Sequence, residues 1–438
     1  MIPSKLRSCL FVLSGLLLFS FINGCQDDNI VGSSFVDGDR NIIVDTLSLS
    51  SFDRADLRTY TGNLAHFSAG SYNDQLFGQI DATGFMYPNL PSSTTELNED
   101  AEMFILFRPV AFYGDTTQVA TFSVHRVTER WRPNSVNADS DIQFEPESIG
   151  TFSVSTETDS VAFRLPDEYY EMYRTEYHEF ENLDERDDNF RNNEFGFAIV
   201  PVGGNSIVSF QRTQQVAVDG GGTAFIGSRL LIVSEIEEND DEESSSATPF
   251  DENGDNDEEE EDGLSFLSVP LWGWGFNYDV ENTDMINDGS FPVLNTYRDM
   301  LKFDVDFENE LFRDGIISRV ELVLFEDLET MSSSLPEGHV RPENDQLRIY
   351  RLEDENLDFL VLDPPVLQPQ RTVADASYRM NITNTVNSIL LGAEFAGSLY
   401  ISSRSNNGII TPKLINVTDT DPQRKPIIIV TRIDPEDI

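Results

Sequence analysis

Two tryptophans alternate with glycines in Pro270-Leu271-Trp272-Gly273-Trp274-Gly275-Phe276. Alternate side chains of an extended strand share a face, so this spacing predicts Trp272 and Trp274 on one side and bare glycine backbone on the other. Such a pair either fills a sandwich core or domain junction, or forms an exposed aromatic platform for a glycan or a protein. The third tryptophan, Trp131, lies between Arg130 and Arg132 and reads as a loop residue or the cover of a sheet edge. Asp251, Asn253, Asp255 and Asp257 alternate like the opening of a calcium loop. Such a loop needs glycine at its sixth position and glutamate at its twelfth, and Asn256 and Asp262 stand there instead. The segment reads as plain acidic chain, with weak calcium binding as the alternative. Four histidines, His66, His125, His178 and His339, show no metal-ligand spacing. No Gly-x-Ser-x-Gly elbow, phosphate loop or dinucleotide fingerprint occurs. Carboxylates are too numerous for an acid–base pair to be singled out. The expectation is a protein without catalysis and without a cofactor, a hydrolase being the remoter alternative that would need a deep cleft with converging carboxylates.

One further residue has a chemistry of its own. Lys5 and Arg7 precede an apolar run from Cys9 to Ile22, and Asn23-Gly24-Cys25 closes it. This is the layout of a cleaved secretory signal, with a run too short for a comfortable transmembrane helix. Ile22-Asn23-Gly24-Cys25 resembles a lipobox, which makes residues 1–24 a lipoprotein signal peptide and Cys25 the acylated first residue of the mature chain. Cys9 and Cys25 are the only cysteines, so the mature protein has no internal disulfide and its stability must come from burial. Acyl chains on Cys25 make a lipid bilayer the first expected partner. Gln26-Asp27-Asp28 resembles the acidic export signal of Bacteroidetes-like lipoproteins. That implies an outer-membrane protein facing the cell surface, with the periplasmic face as the alternative.

Charge narrows the partners further. Asp and Glu number 78 against 29 Lys and Arg, a formal net charge of −49, and only Lys5, Lys302, Lys413 and Lys425 are lysines. Excess acid with little lysine fits a surface adapted to concentrated salt, where screening shortens self-repulsion to about 3 Å at 1 M. No basic stripe exists to release counterions from phosphates, which argues against a nucleic-acid partner, and an acidic partner or an anionic lipid surface is disfavoured for the same reason.

These residues must be positioned by something. From Glu235 to Gly263 the chain is too acidic and too poor in apolar residues to fold by burial. It divides the chain into a tether at 25–39, a first domain at 40–234, an acidic disordered linker at 235–263 and a second domain at 264–438. Short segments rich in β-branched and aromatic residues recur in both halves, among them Gln118 to Val127, Ser206 to Gln211, Ile317 to Glu326 and Pro426 to Ile433. Their period of two predicts strands with one buried face. A helix is predicted after Pro166, to about Phe180, and another near Thr383, stopped by Gly392. The predicted fold class is all-β: two tandem β-sandwich domains, each with one short helix, joined by the acidic linker.

Several segments carry a family resemblance. Arg298 to Val305 followed by Ile317 to Leu324 resembles the opening of DNRLRE-type jelly-roll domains, and Gly397 to Ile401 and Pro426 to Val430 resemble their closing strands. Val320 to Leu322 departs from the pattern by lacking its alanine. Ser68 to Gly78 resembles a segment of a Bacteroidetes lipoprotein family of unknown function. The resemblance implies tandem jelly-roll-like domains on a surface lipoprotein, with glycan binding or adhesion as the role and an envelope scaffold that binds another protein as the alternative. It implies no catalysis.

Overall fold

The computed structural model describes residues 42–49, 52–56, 60–217, 222–235, 264–284, 289–295, 299–313, 315–351, 367–392, 398–403, 407–417 and 424–433. Cys25, the signal peptide, the tether and the calcium-like residues Asp251, Asn253, Asp255 and Asp257 lie outside them. The fold is all-β, built from antiparallel sheets with a few short helices.

Most strands gather around two cores. The larger core lies between a nine-stranded sheet that curls on itself and a four-stranded sheet. At the centre of the large sheet, the strand Gly78–Tyr87 pairs along one edge first with His66–Asp74 and then with Phe197–Gly203. Its other edge pairs with Gly273–Val280, from Val280↔Ile80 to Gly273↔Tyr87. Two partners in succession on one edge make the sheet branch. Rings fill the space beneath it: Phe107 stacks on Phe152 at 4.3 Å, and Phe122 lies 5.3 Å from Phe152. Such pairs add about 0.5–1.5 kcal/mol each beyond their burial.

The smaller core lies between a five-stranded and a four-stranded sheet. Ile42–Ser48 forms an edge of the first, paired with Ile427–Ile433, and Phe52–Asp56 forms an edge of the second, paired with Asp299–Asp304.

These pairings correct the expected partition of the chain. Arg229–Glu235 and Leu264–Val269 are neighbours in one sheet, with Glu235 opposite Leu264. The acidic segment therefore connects two strands of the first unit and is not a linker between domains. Conversely, the strands at 42–56 belong to the second unit. A run of like charge carries no information about what the strands flanking it pair with.

The expectation of one helix per domain is corrected too. Helical chain follows Pro166 as Asp167–Met172 and continues to His178, and a second helix, Leu183–Asn193, follows it. Asn182 caps the second by accepting from the Asp184 amide at 3.3 Å, and Asp184 and Glu185 complement its N-terminal dipole. The second unit carries Leu328–Ser333 beside the expected Thr383–Leu390. No helix among the described residues is long and apolar enough to cross a membrane.

Candidate functional site

The pair of tryptophans does not share a face. The strand begins at Gly273, and Trp272 sits in the bend before it, so alternation does not reach back to it. Trp274 is 8% exposed and belongs to the larger core; its Nε1 donates to the Leu64 carbonyl at 2.7 Å, and the Arg212 guanidinium lies 5.8 Å from its ring. Trp272 is 41% exposed. The platform expected from both rings is thus reduced to Trp272.

The expected bare glycine face is also corrected. A β-carbon on Gly273 would come within 2.1 Å of Pro133 Cγ, and one on Gly275 within 3.1 Å of Val136. The glycines are bare so that the short turn Pro133–Ser135 can close onto the strand. That turn brings Arg130-Trp131-Arg132 beside Trp272.

Trp131 points inward. It is buried, it donates from Nε1 to the Phe195 carbonyl at 2.7 Å, and its ring lies 5.8 Å from Tyr87 and 6.0 Å from Phe85. Its neighbours Arg130 and Arg132 are exposed, and the extended backbone of Arg132 sends successive side chains to opposite sides.

The second element at the site is the helix Leu183–Asn193. Tyr87 Oη donates to the Arg191 carbonyl at 2.9 Å, which ties the helix to the end of the strand Gly78–Tyr87. The Trp272 amide donates to the Tyr87 carbonyl at 2.9 Å, and the two rings lie 5.0 Å apart. The Arg191 guanidinium packs on the Trp272 ring at 5.4 Å. A stacked guanidinium retains its in-plane N–H donors for a further partner.

These side chains surround an open groove of about 640 Å³, within the usual range of about 300–1,000 Å³ for ligand sites. Asn63 and Asn134 complete it, joined by an amide–amide hydrogen bond. Asn63 takes a left-handed backbone, φ 55°, which asparagine tolerates better than most residues, and its Oδ1 is buried without a hydrogen-bond partner. Burial pushes the Tyr87 hydroxyl up to about 12, so it stays a neutral donor. The groove combines an exposed indole, guanidinium and amide donors, and an orphaned acceptor. It can stack on a flat apolar face and hydrogen-bond the polar groups around it.

Of its residues, sequence reasoning singled out Trp272 and noted the triplet around Trp131. It missed Tyr87 and Arg191, which are 185 and 81 positions from Trp272, because only the strand pairing brings Tyr87 there and only the helix tied to Tyr87 brings Arg191.

Two other places gather groups capable of chemistry. A larger cleft of about 1180 Å³ is rimmed by Glu96, Glu99, Asp100, Glu102 and Glu235. Arg174 partly neutralises its rim, bonding Glu171 at 3.0 Å and Glu179 at 2.9 Å. Ser123 and His125 form a hydroxyl–imidazole pair at 2.8 Å, but both are buried in one strand, and the other imidazole nitrogen faces the Glu145 carbonyl rather than a carboxylate. Among the described residues no group of three or more His, Cys, Asp or Glu is placed to hold a metal.

No model of a known protein family matches the chain, and no curated protein matches it.

Proposed function

We propose that this protein is a non-catalytic lipoprotein of the cell envelope that binds a saccharide in the groove at Trp272. The observation that carries the reading is an exposed indole, held between Tyr87 and Arg191, in an open groove with amide and guanidinium groups at its margin. Sugar rings present a C–H face that stacks on aromatic rings, while their hydroxyls need neighbouring donors and acceptors. Acylated Cys25 would hold the site at the outer membrane, facing the surface, where a saccharide receptor acts in adhesion or capture.

A protein partner is the second reading, as an envelope scaffold. It draws support from the same side chains, since tryptophan, tyrosine and arginine dominate protein hot spots.

Binding of an oligosaccharide panel to the intact protein and to Trp272→Ala separates the two. The proposal expects at least one saccharide to bind, with about tenfold loss in the variant, equivalent to about 1.4 kcal/mol. Absence of saccharide binding, alongside a Trp272-dependent complex with an envelope protein, would replace it with the scaffold reading.

A further inference from the structure

The charge around the groove runs against that of the molecule. Carboxylates outnumber cations 78 to 29 over the chain, and many arginines elsewhere are engaged by them, among them Arg164 with Glu102 and Asp167, Arg174 with Glu171 and Glu179, and Arg319 with Glu321. Arg130, Arg132 and Arg191 all line the groove, and none of the three has a carboxylate partner among the described residues. One carboxylate, Asp188, lines it with them. Three guanidiniums against one carboxylate, on a protein of net charge −49, leave a local surplus of cations at the groove.

Resting on the saccharide reading above, we infer that the ligand is an anionic glycan, bearing uronate carboxylates or sulfate esters. A guanidinium presents paired N–H donors that match two oxygens of a carboxylate or sulfate. Arg191, stacked on Trp272, places such donors next to the ring that takes the sugar face. Asn63 Oδ1, buried and unpartnered, accepts from a sugar hydroxyl, so the site reads the neutral part of the ligand as well as its charge.

Long-range repulsion from the net charge does not defeat this arrangement in salt. At about 1 M the screening length is about 3 Å, so repulsion from distant carboxylates fades while contact-distance pairs persist in part. A neutral glycan would need no such cluster, and an acidic peptide would leave the exposed indole without a sugar face.

The test is titration calorimetry of the intact protein in 1 M NaCl. Its probes are oligogalacturonate, the methyl ester of the same oligosaccharide, alginate oligomers with their carboxyl-reduced form, and a sulfated carrageenan oligosaccharide. The charged member of at least one pair, or the carrageenan, is expected to bind about tenfold or more tightly than the neutral forms. Arg130→Gln/Arg132→Gln is expected to weaken that binding by at least tenfold. Arg319→Gln, which removes a cation on the distant unit, is expected to leave it unchanged. Preference for uronate over sulfate, or the reverse, identifies the anion. Equal binding of charged and neutral members, with dependence on Trp272 retained, overturns the inference and leaves the saccharide reading standing. Loss of affinity that is the same in Arg319→Gln also overturns it, since it would report net charge rather than a site. Failure of every probe, charged and neutral, counts against the saccharide reading itself.

Discussion

His178 is held as a neutral imidazole by partners that fix its tautomer. Arg186 can only donate, and it lies 3.1 Å from Nδ1; the Thr95 carbonyl can only accept, and it lies 2.7 Å from Nε2. Nε2 therefore carries the proton. Burial is the main reason its pKa lies below 6.5, partly offset by the hydrogen bond to Thr95, and the Arg186 charge lowers it further. Between the folded value and 6.5 the unfolded chain binds a proton that the folded chain refuses. Stability is therefore complete above 6.5 and falls as pH drops through that window. Denaturant melts of wild type and His178→Gln between pH 7.5 and 5 check this: the wild-type advantage should shrink as pH falls. An advantage independent of pH would show that the imidazole does not titrate as its surroundings dictate. At this scale sequence reveals residue type but not neighbours. Trp272 and Trp274 are two positions apart and chemically identical, yet one lies in a bend and the other in a strand covered by Pro133 and Val136.

Among the elements, the turn after His66–Asp74 joins the two units. Asp74 Oδ1 accepts from the Leu76 amide at 2.8 Å and from Arg341 at 2.8 Å. Its Oδ2 accepts from Arg341 Nε at 2.8 Å and from Tyr113 Oη at 2.9 Å. Arg341 follows His339–Val340, which extends the large sheet by pairing with Pro109–Asp115. Both charges are buried, so Arg341→Met strands a carboxylate in the interior and is predicted to cost about 3–5 kcal/mol, measurable by denaturant unfolding. A loss below about 1 kcal/mol would mean that this pair does not hold the seam. Two elements were legible in the sequence: Ser206–Gln211 falls where its β-branched and aromatic residues put it, and Thr383–Leu390 where its apolar spacing and Gly392 put it, although its N-cap is Ile382 and the Thr383 hydroxyl accepts from the Val320 amide instead. The hairpin His66–Asp74 to Gly78–Tyr87 was not read as strands, although it lies at the centre of the large sheet. It is covered on both faces over much of its length, so its sequence does not alternate, and its glycines, alanines and serines carry little of the β-branched signal that marks Ser206–Gln211.

For the molecule as a whole, composition conveyed the class and not the partition. An all-β chain with acidic surroundings follows from recurrent short β-rich segments and from the charge of −49. The assignment of strands 42–56 to the second unit, and of 264–280 to the first, follows from pairings between residues more than 100 positions apart in most cases. Non-local pairing of this kind is chosen by face and edge complementarity across the folded molecule, which no local window contains. The same pairing assembles the groove: one strand end, one turn and one helix converge on Trp272 only when the large sheet closes.

The most direct test of the central reading follows the three indole N–H signals in an NMR titration of the intact protein with a saccharide that it binds. Trp131 and Trp274 donate to carbonyls in the interior, at 2.7 Å each, while Trp272 lies at the groove. Assignment by Trp272→Phe identifies its signal. A saccharide seated in the groove should shift the Trp272 signal most, leaving that of Trp274 close to its free position. A titration in which the Trp272 signal stays fixed while binding saturates would place the ligand elsewhere and contradict the account.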